Sequence, residues 1–231
     1  MSRRVVAAFA VVAMIGVALA AFGGTGGDPE PPDEASPTPS VSVTHSPEAD
    51  DCFELPELPR TSPVPLCSLG VGFVIPEGWQ ATLLSPDALE RLRDAALARP
   101  SFLDAATSVA STGAVFYAAG VDGDDRVAEL KLDVQDGADT SPEALRAIGQ
   151  AVVDSGQVDE PELVEEPNRG AVRVDYRVTL PSAESGEDIE SLGSQLFVPD
   201  GDRLWSFIVT SEDQATQDAV LALLDASITF A

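Results

Sequence analysis

The stretch LWSFIVT, Leu204 to Thr210, constrains the fold more than any other part of the chain. Trp205, Phe207 and Val209 alternate with Leu204 and Ile208, so a strand here is apolar on both faces. A strand with no side to offer water belongs in the middle of a sheet that is covered above and below. It follows a first strand, Ser194 to Val198, across PDGDR, whose Asp-Gly step is a short-range hairpin signal.

The neighbouring segments supply the sheet and its covers. Val172, Val174, Tyr176, Val178 and Leu180 alternate with Arg173, Asp175, Arg177 and Thr179, the pattern of a half-buried antiparallel strand. Ala114 to Val121 and Val127 to Val134 form a second hairpin around DGDDR. In its second strand Ala128, Leu130, Leu132 and Val134 face one way and Glu129, Lys131 and Asp133 the other, which predicts one buried face. Val71 to Pro76 reads as a short buried strand that turns through Glu77-Gly78 into Trp79. Helices are predicted from Ser85-Pro86 to about Ala98, over SFLDAATSVAS with Phe102, Ala106 and Val109 inward, and from Ser141-Pro142 to Gly156 with Leu145, Ile148 and Val152 inward. A closing helix is placed at Ser211, with Gln214 completing a capping box and Val220, Leu223 and Leu224 as its stripe. VDEPELVEE and PSAESGEDIESLG read as connections, and ASITFA as returning extended chain. Strands outnumber the crossovers between them, so the expected class is α+β, a largely antiparallel twisted sheet with helices packed on both faces.

The chain of 231 residues is 44% apolar and 23% charged, which suits one domain (51–231) plus extensions. Its 39 acidic residues against 13 basic ones give a net charge of −26, which excludes nucleic acid and other polyanions as partners. At the start, Arg3-Arg4 precedes the uncharged run Val5 to Phe22, the order of an export signal, so residues 1–22 are a signal peptide or an N-terminal membrane anchor. Ala18-Leu19-Ala20 offers a cleavage site near Ala20, yet the run of 18 residues also spans about 27 Å as a helix, close to the hydrocarbon thickness. Both outcomes place the domain outside the cytoplasm and leave this segment as its only membrane contact. Residues 23–50 are Gly, Pro, Ser, Thr and acids, the composition of a disordered extended spacer, and they contain His45, the only histidine. In an exported chain the two cysteines, Cys52 and Cys67, are expected to form a disulfide that staples the N-terminal edge of the domain.

Catalytic constellations are hard to assemble from these residues. Without a histidine in the domain there is no Ser-His-Asp or Cys-His arrangement and no His-containing zinc site. No nucleophile elbow or phosphate loop occurs, and no cofactor is implied. Asp122, Asp124 and Asp125, like Asp133, Asp136 and Asp139, could offer oxygens to calcium, but both groups lack the EF-hand glycine and glutamate, and turn chemistry accounts for the same residues. Two binding readings are open. Trp79, Phe102 and Tyr117 could line a groove for an apolar ligand such as an envelope lipid, with Trp79 as a core plug the alternative. Arg173 and Arg177, flanking Asp175, could form a charged platform for an envelope protein partner, with plain cross-strand ion pairs the alternative.

The succession VGFVIPEGWQ, AVFYAAGVDGDDRVAELKLDV, GAVRVDYRVTL, SQLFVPDGDRLWSFIVT and a last helix ending DASITF resembles the PsbP-like superfamily with the Mog1/PsbP fold, over about Leu69 to Phe230. It is similar in particular to actinobacterial exported domains of the LpqN type, which also follow a signal or anchor and a Pro-rich linker. The resemblance implies a helix-sandwiched antiparallel sheet with a binding or assembly role and no catalysis. The function expected is thus a non-catalytic cell-envelope module that recognises a protein partner. The alternatives are a carrier or sensor of an apolar envelope ligand and an unrecognised hydrolase.

Overall fold

The computed structural model describes residues 52–94, 100–122, 125–166, 168–181 and 188–231. The hydrophobic run 5–22, the spacer 23–50 with His45, and Asp124 lie outside them, and among the described residues no helix is long and apolar enough to cross a membrane. In chain order the elements are β1 (Thr61–Leu66), β2 (Val71–Pro76), β3 (Gln80–Leu83), α1 (Pro86–Asp94), α2 (Pro100–Ala110), β4 (Phe116–Asp122), β5 (Asp125–Gln135), α3 (Pro142–Val153), β6 (Asp159–Glu166), β7 (Ala171–Pro181), β8 (Asp188–Asp200), β9 (Arg203–Ser211), α4 (Gln214–Ser227) and β10 (Thr229–Phe230). The class is α+β, as expected. A seven-stranded antiparallel sheet runs β3-β4-β5-β9-β8-β7-β6, and a small sheet runs β1-β2-β10.

The doubly apolar strand takes the central place its composition demands. β9 is fourth of seven, and every residue from Leu204 to Ser211 is buried. On one face Trp205, Phe207 and Val209, with Leu130, Leu132 and Phe116, pack against the small sheet and α4. Phe73 of β2 sits at the centre of this core, edge-on to both Phe116 and Phe207 with ring centroids 5.5 Å apart in each pair. Such pairs contribute about 0.5–1.5 kcal/mol each beyond the area they bury. α4 adds Val220 and Leu224, and its Ser227 hydroxyl accepts the Val74 N–H at 3.0 Å. The second face is covered in two places: α1 and α2 lie over β3 and β4, and α3 lies over β6 and β7.

The PEGW turn closes the main core. Gly78 takes φ +85°, a conformation that favours glycine, and the Trp79 N–H donates to the Pro76 carbonyl at 3.4 Å. The indole that follows is buried against Gly120, where an added Cβ would come within 2.5 Å of Nε1. Cys52 and Cys67 are bonded, with Cα atoms 5.8 Å apart. The link joins positions 15 apart in sequence, a constraint of roughly 3 kcal/mol in the chain-entropy model, and Phe53 and Leu55 within the loop pack onto Gly72 of β2.

Several expectations change. Three strands emerge where the sequence pattern placed none. β1 carries Pro63 and Pro65, tolerable because it is an edge strand, and β6 is an edge strand that carries Pro161 and five carboxylates. The short β3 pairs with β4 directly after the tryptophan turn. β8 begins at Asp188, inside the segment read as a polar loop. The closing helix is capped by Asp213 rather than Ser211: its carboxylate accepts the Thr216 N–H at 2.9 Å and the Thr216 hydroxyl at 2.7 Å, while Ser211 ends β9. The hydroxyl bond, followed by the amide bonds, holds the Asp213 carboxyl below its usual range.

β5 departs furthest from expectation, because both of its faces are buried. Glu129, Lys131 and Asp133 are only 7%, 6% and 9% exposed, in a polar strip between the two helical covers. The Tyr117 hydroxyl donates to Glu129 Oε1 at 2.9 Å, and Lys131 Nζ lies 3.8 Å from Glu129 Oε2. Burial pushes the Asp133 carboxyl up to about 6, with Lys131 opposing.

Two outcomes follow from this packing. Gly120→Ala, which drives a methyl into the Trp79 indole, lowers stability by about 2 kcal/mol in urea melts. Because the folded-state pKa of Asp133 is raised, the native chain holds its proton to higher pH, so stability falls as pH rises from about 4 through about 6. Asp133→Asn removes that loss, so urea melts place it on the order of 2 kcal/mol above the parent at pH 7, with the gap closing below pH 4.

Candidate functional site: a charged platform beside an open groove

Strand alternation decides which side of β7 carries charge. Val172, Val174, Tyr176 and Val178 point under α3, so Arg173, Asp175 and Arg177 share the opposite face with α4 and the small sheet. Those covers reach β8 and β9 but stop short of the sheet's far edge, where Arg173, Asp175 and Arg177 remain partly exposed. Glu162, Val164 and Glu166 of β6 lie beside them on one flank, and Leu192, Ser194 and Leu196 of β8 on the other.

The arginines are held in place by carboxylates. Arg173 Nε donates to both oxygens of Asp175 at 3.0 and 3.1 Å, and its Nη1 donates to Glu166. The Ser194 hydroxyl donates to Asp175 as well, so that carboxylate is fixed from two strands. Arg177 Nη1 donates to Glu190 Oε1 at 2.7 Å, and its Nε lies 3.2 Å from Glu160 Oε2. The Glu190 hydrogen bond and charge, with Glu160 behind them, raise the Arg177 guanidinium above its ordinary value. At the next turn Arg169 donates to Asp225 of α4 at 2.9 Å and to the Ile228 carbonyl at 3.2 Å, tying the helix end to the sheet edge.

Between α4 and this edge runs a groove of about 260 Å³. Its floor is Leu196, Leu221 and Ala222, and its walls are Glu166, Arg169, Arg173, Asp218 and Asp225. Across platform and groove, seven carboxylates (Glu160, Glu162, Glu166, Asp175, Glu190, Asp218 and Asp225) surround three arginines. The surface is therefore acidic overall, with each arginine already oriented.

The structure brings Arg173 and Arg177 onto one face, as their spacing predicts. It does not bring the aromatic triad together. Phe102 and Tyr117 touch, with centroids 5.3 Å apart, under α2 on the second face, whereas Trp79 lies in the main core on the first. All three are buried, at 8% exposure or less, so they line no common groove. Of the aspartates named for calcium, Asp133, Asp136 and Asp139 also separate, while Asp122 pairs with Asp125 across the β4–β5 hairpin. Asp133 is buried, Asp136 accepts from Arg203 at 2.9 Å, and Asp139 accepts the Ser141 N–H at 3.2 Å. Among the described residues no group of three or more His, Cys, Asp or Glu side chains could hold a metal ion. The groove walls from α4, Asp218 and Asp225, were not singled out by sequence, because only the docking of α4 places them beside β7.

No protein-family model matches the chain, and no curated protein matches it. Among solved structures it is similar to the cyanobacterial PsbP of Synechocystis, at 16% identity over 76% of this chain and 95% of that one, with a TM-score of 0.40. It is also similar to the Ran-binding protein Mog1p of Saccharomyces cerevisiae, at 12% identity over 74% of this chain and 95% of that one, with a TM-score of 0.42.

Proposed function

We propose that this chain is an exported envelope protein of the LpqN type within the PsbP-like group, whose domain binds a protein partner and catalyses nothing. The N-terminal hydrophobic run and the Pro-rich spacer support export and display, whether the run is cleaved or retained. The observation that carries the binding reading is the uncovered edge of the sheet, where clamped arginines border a groove with an apolar floor. Side chains fixed before contact lose little entropy on binding, and an apolar floor with a charged rim is the anatomy of a protein interface. Seven carboxylates around three arginines select a partner whose matching surface is basic.

A photoreactive side chain at Leu192, on the platform, tests this in intact cells against the same group at Glu77, in the exposed PEGW turn. The expected result is a discrete protein adduct from position 192 alone, reduced at least about tenfold by combined Glu162→Lys and Asp218→Lys, which reverse charge against a basic partner. Equal adducts from both positions, or an adduct indifferent to the double reversal, would contradict the platform.

A further inference from the structure

Helix α4 carries two stripes of side chains at helical spacing. Gln217, Val220, Leu224 and Ser227 recur at i, i+3, i+7 and i+10 and are buried. One step round the helix, Asp218, Leu221, Ala222 and Asp225 recur at i, i+3, i+4 and i+7 and form the α4 side of the groove. Leu221 is half-buried, whereas Asp218, Ala222 and Asp225 are exposed. A solvent-facing stripe is ordinarily polar throughout. Here a leucine and an alanine stand between two carboxylates and share the groove floor with Leu196.

Charge narrows the choice of occupant. Arg169 is held by Asp225 and the Ile228 carbonyl, and Arg173 by Asp175 and Glu166, so both cations of the walls are already matched. Asp218 has no cation beside it among the described residues, and its Oδ1 accepts from the Gln214 amide at 2.8 Å. Asp225 gives Oδ1 to Arg169, but its side chain is 70% exposed, which leaves a second oxygen open to a further donor. The α4 wall therefore lacks positive charge at its two ends and an apolar cover at its centre. A second copy of the chain brings the same net charge of −26, and the spacer 23–50 contains acids but no Lys or Arg, so neither supplies what is missing.

Spacing fixes the form of the occupant. Asp218 and Asp225 are seven positions apart on α4, a rise of about 10.5 Å. A helix laid along α4 repeats that rise between its own i and i+7, with i+3 and i+4 on the same face between them. A strand places same-face side chains about 6.6 or about 13 Å apart and misses it. Resting on the protein-partner reading above, we propose that the groove receives an amphipathic helix of the partner whose contact face reads basic, apolar, apolar, basic at i, i+3, i+4 and i+7. Its apolar pair covers Leu196, Leu221 and Ala222, and its basic side chains reach Asp218 and Asp225. The small side chain of Ala222 allows the two helices to approach closely along the groove of about 260 Å³.

Fluorescence anisotropy tests this with a labelled Ala-rich helical peptide carrying Lys at i and i+7 and Leu at i+3 and i+4, titrated with the purified full chain. The control peptide has the same composition with its lysines moved to i+2 and i+5, on the opposite face. The patterned peptide is expected to bind saturably with a Kd below about 100 μM, and the control at least about tenfold more weakly. Asp218→Lys reverses one end of the wall, and Ala222→Trp fills the groove from an exposed position; each is expected to weaken binding at least about tenfold. Glu77→Lys, the same change of charge in the exposed PEGW turn, changes it by less than about twofold. No saturable binding to about 1 mM, equal binding of the two peptides, or an affinity untouched by both groove variants would overturn the helix assignment. The Leu192 crosslink is read separately, so a discrete adduct there beside a failed peptide titration retains the platform and discards only the helix.

Discussion

The burial of β9 on both faces is the constraint on which the rest depends. A strand carrying Leu204, Trp205, Phe207, Ile208 and Val209 leaves no side for water, so the chain must raise a cover on each face. One cover is the small sheet with α4, locked by Phe73 between Phe116 and Phe207. The other is split between α1 with α2 at one flank and α3 at the opposite flank. Even the short end strand serves the first cover: β10 pairs with β2, and Phe230 stacks on Trp205 at 5.9 Å.

Seven strands are wider than either cover, and the charged platform arises from that mismatch. On the first face the cover ends before β6 and β7, so residues facing that way can be charged, and the sequence places Arg173, Asp175 and Arg177 there. On the second face the cover leaves its middle to Glu129, Lys131, Asp133, Gln195, Ser206 and Thr210. An apolar filling there would have been cheaper in desolvation than ionisable groups.

Much of this was legible in the sequence wherever periodicity was strong. The alternation of β7 correctly separated Val174 and Tyr176 from Arg173 and Arg177, and the spacing of Leu145, Ile148 and Val152 found α3. Edge strands escaped because their signals resemble those of loops: Pro63 and Pro65 in β1 and the acidic run of β6 are tolerated only where one side of the strand has no partner. Local pattern also could not assign faces across strands. Trp79 and Tyr117 look equally inward in sequence, and only the pairing of β3 with β4 separates them by the thickness of the sheet. The polar strip was visible as alternation in β5, but its burial depends on how the helices dock on the flanking strands.

Native-state hydrogen exchange tests the central role of β9 most directly. Amides of Leu204 to Ser211 should exchange only through global unfolding, together with their partners in β5 and β8, while those of β3 and β6 open at lower free energy. Exchange in β9 as fast as in the edge strands would contradict the account, since no strand packed on both faces can open ahead of its neighbours.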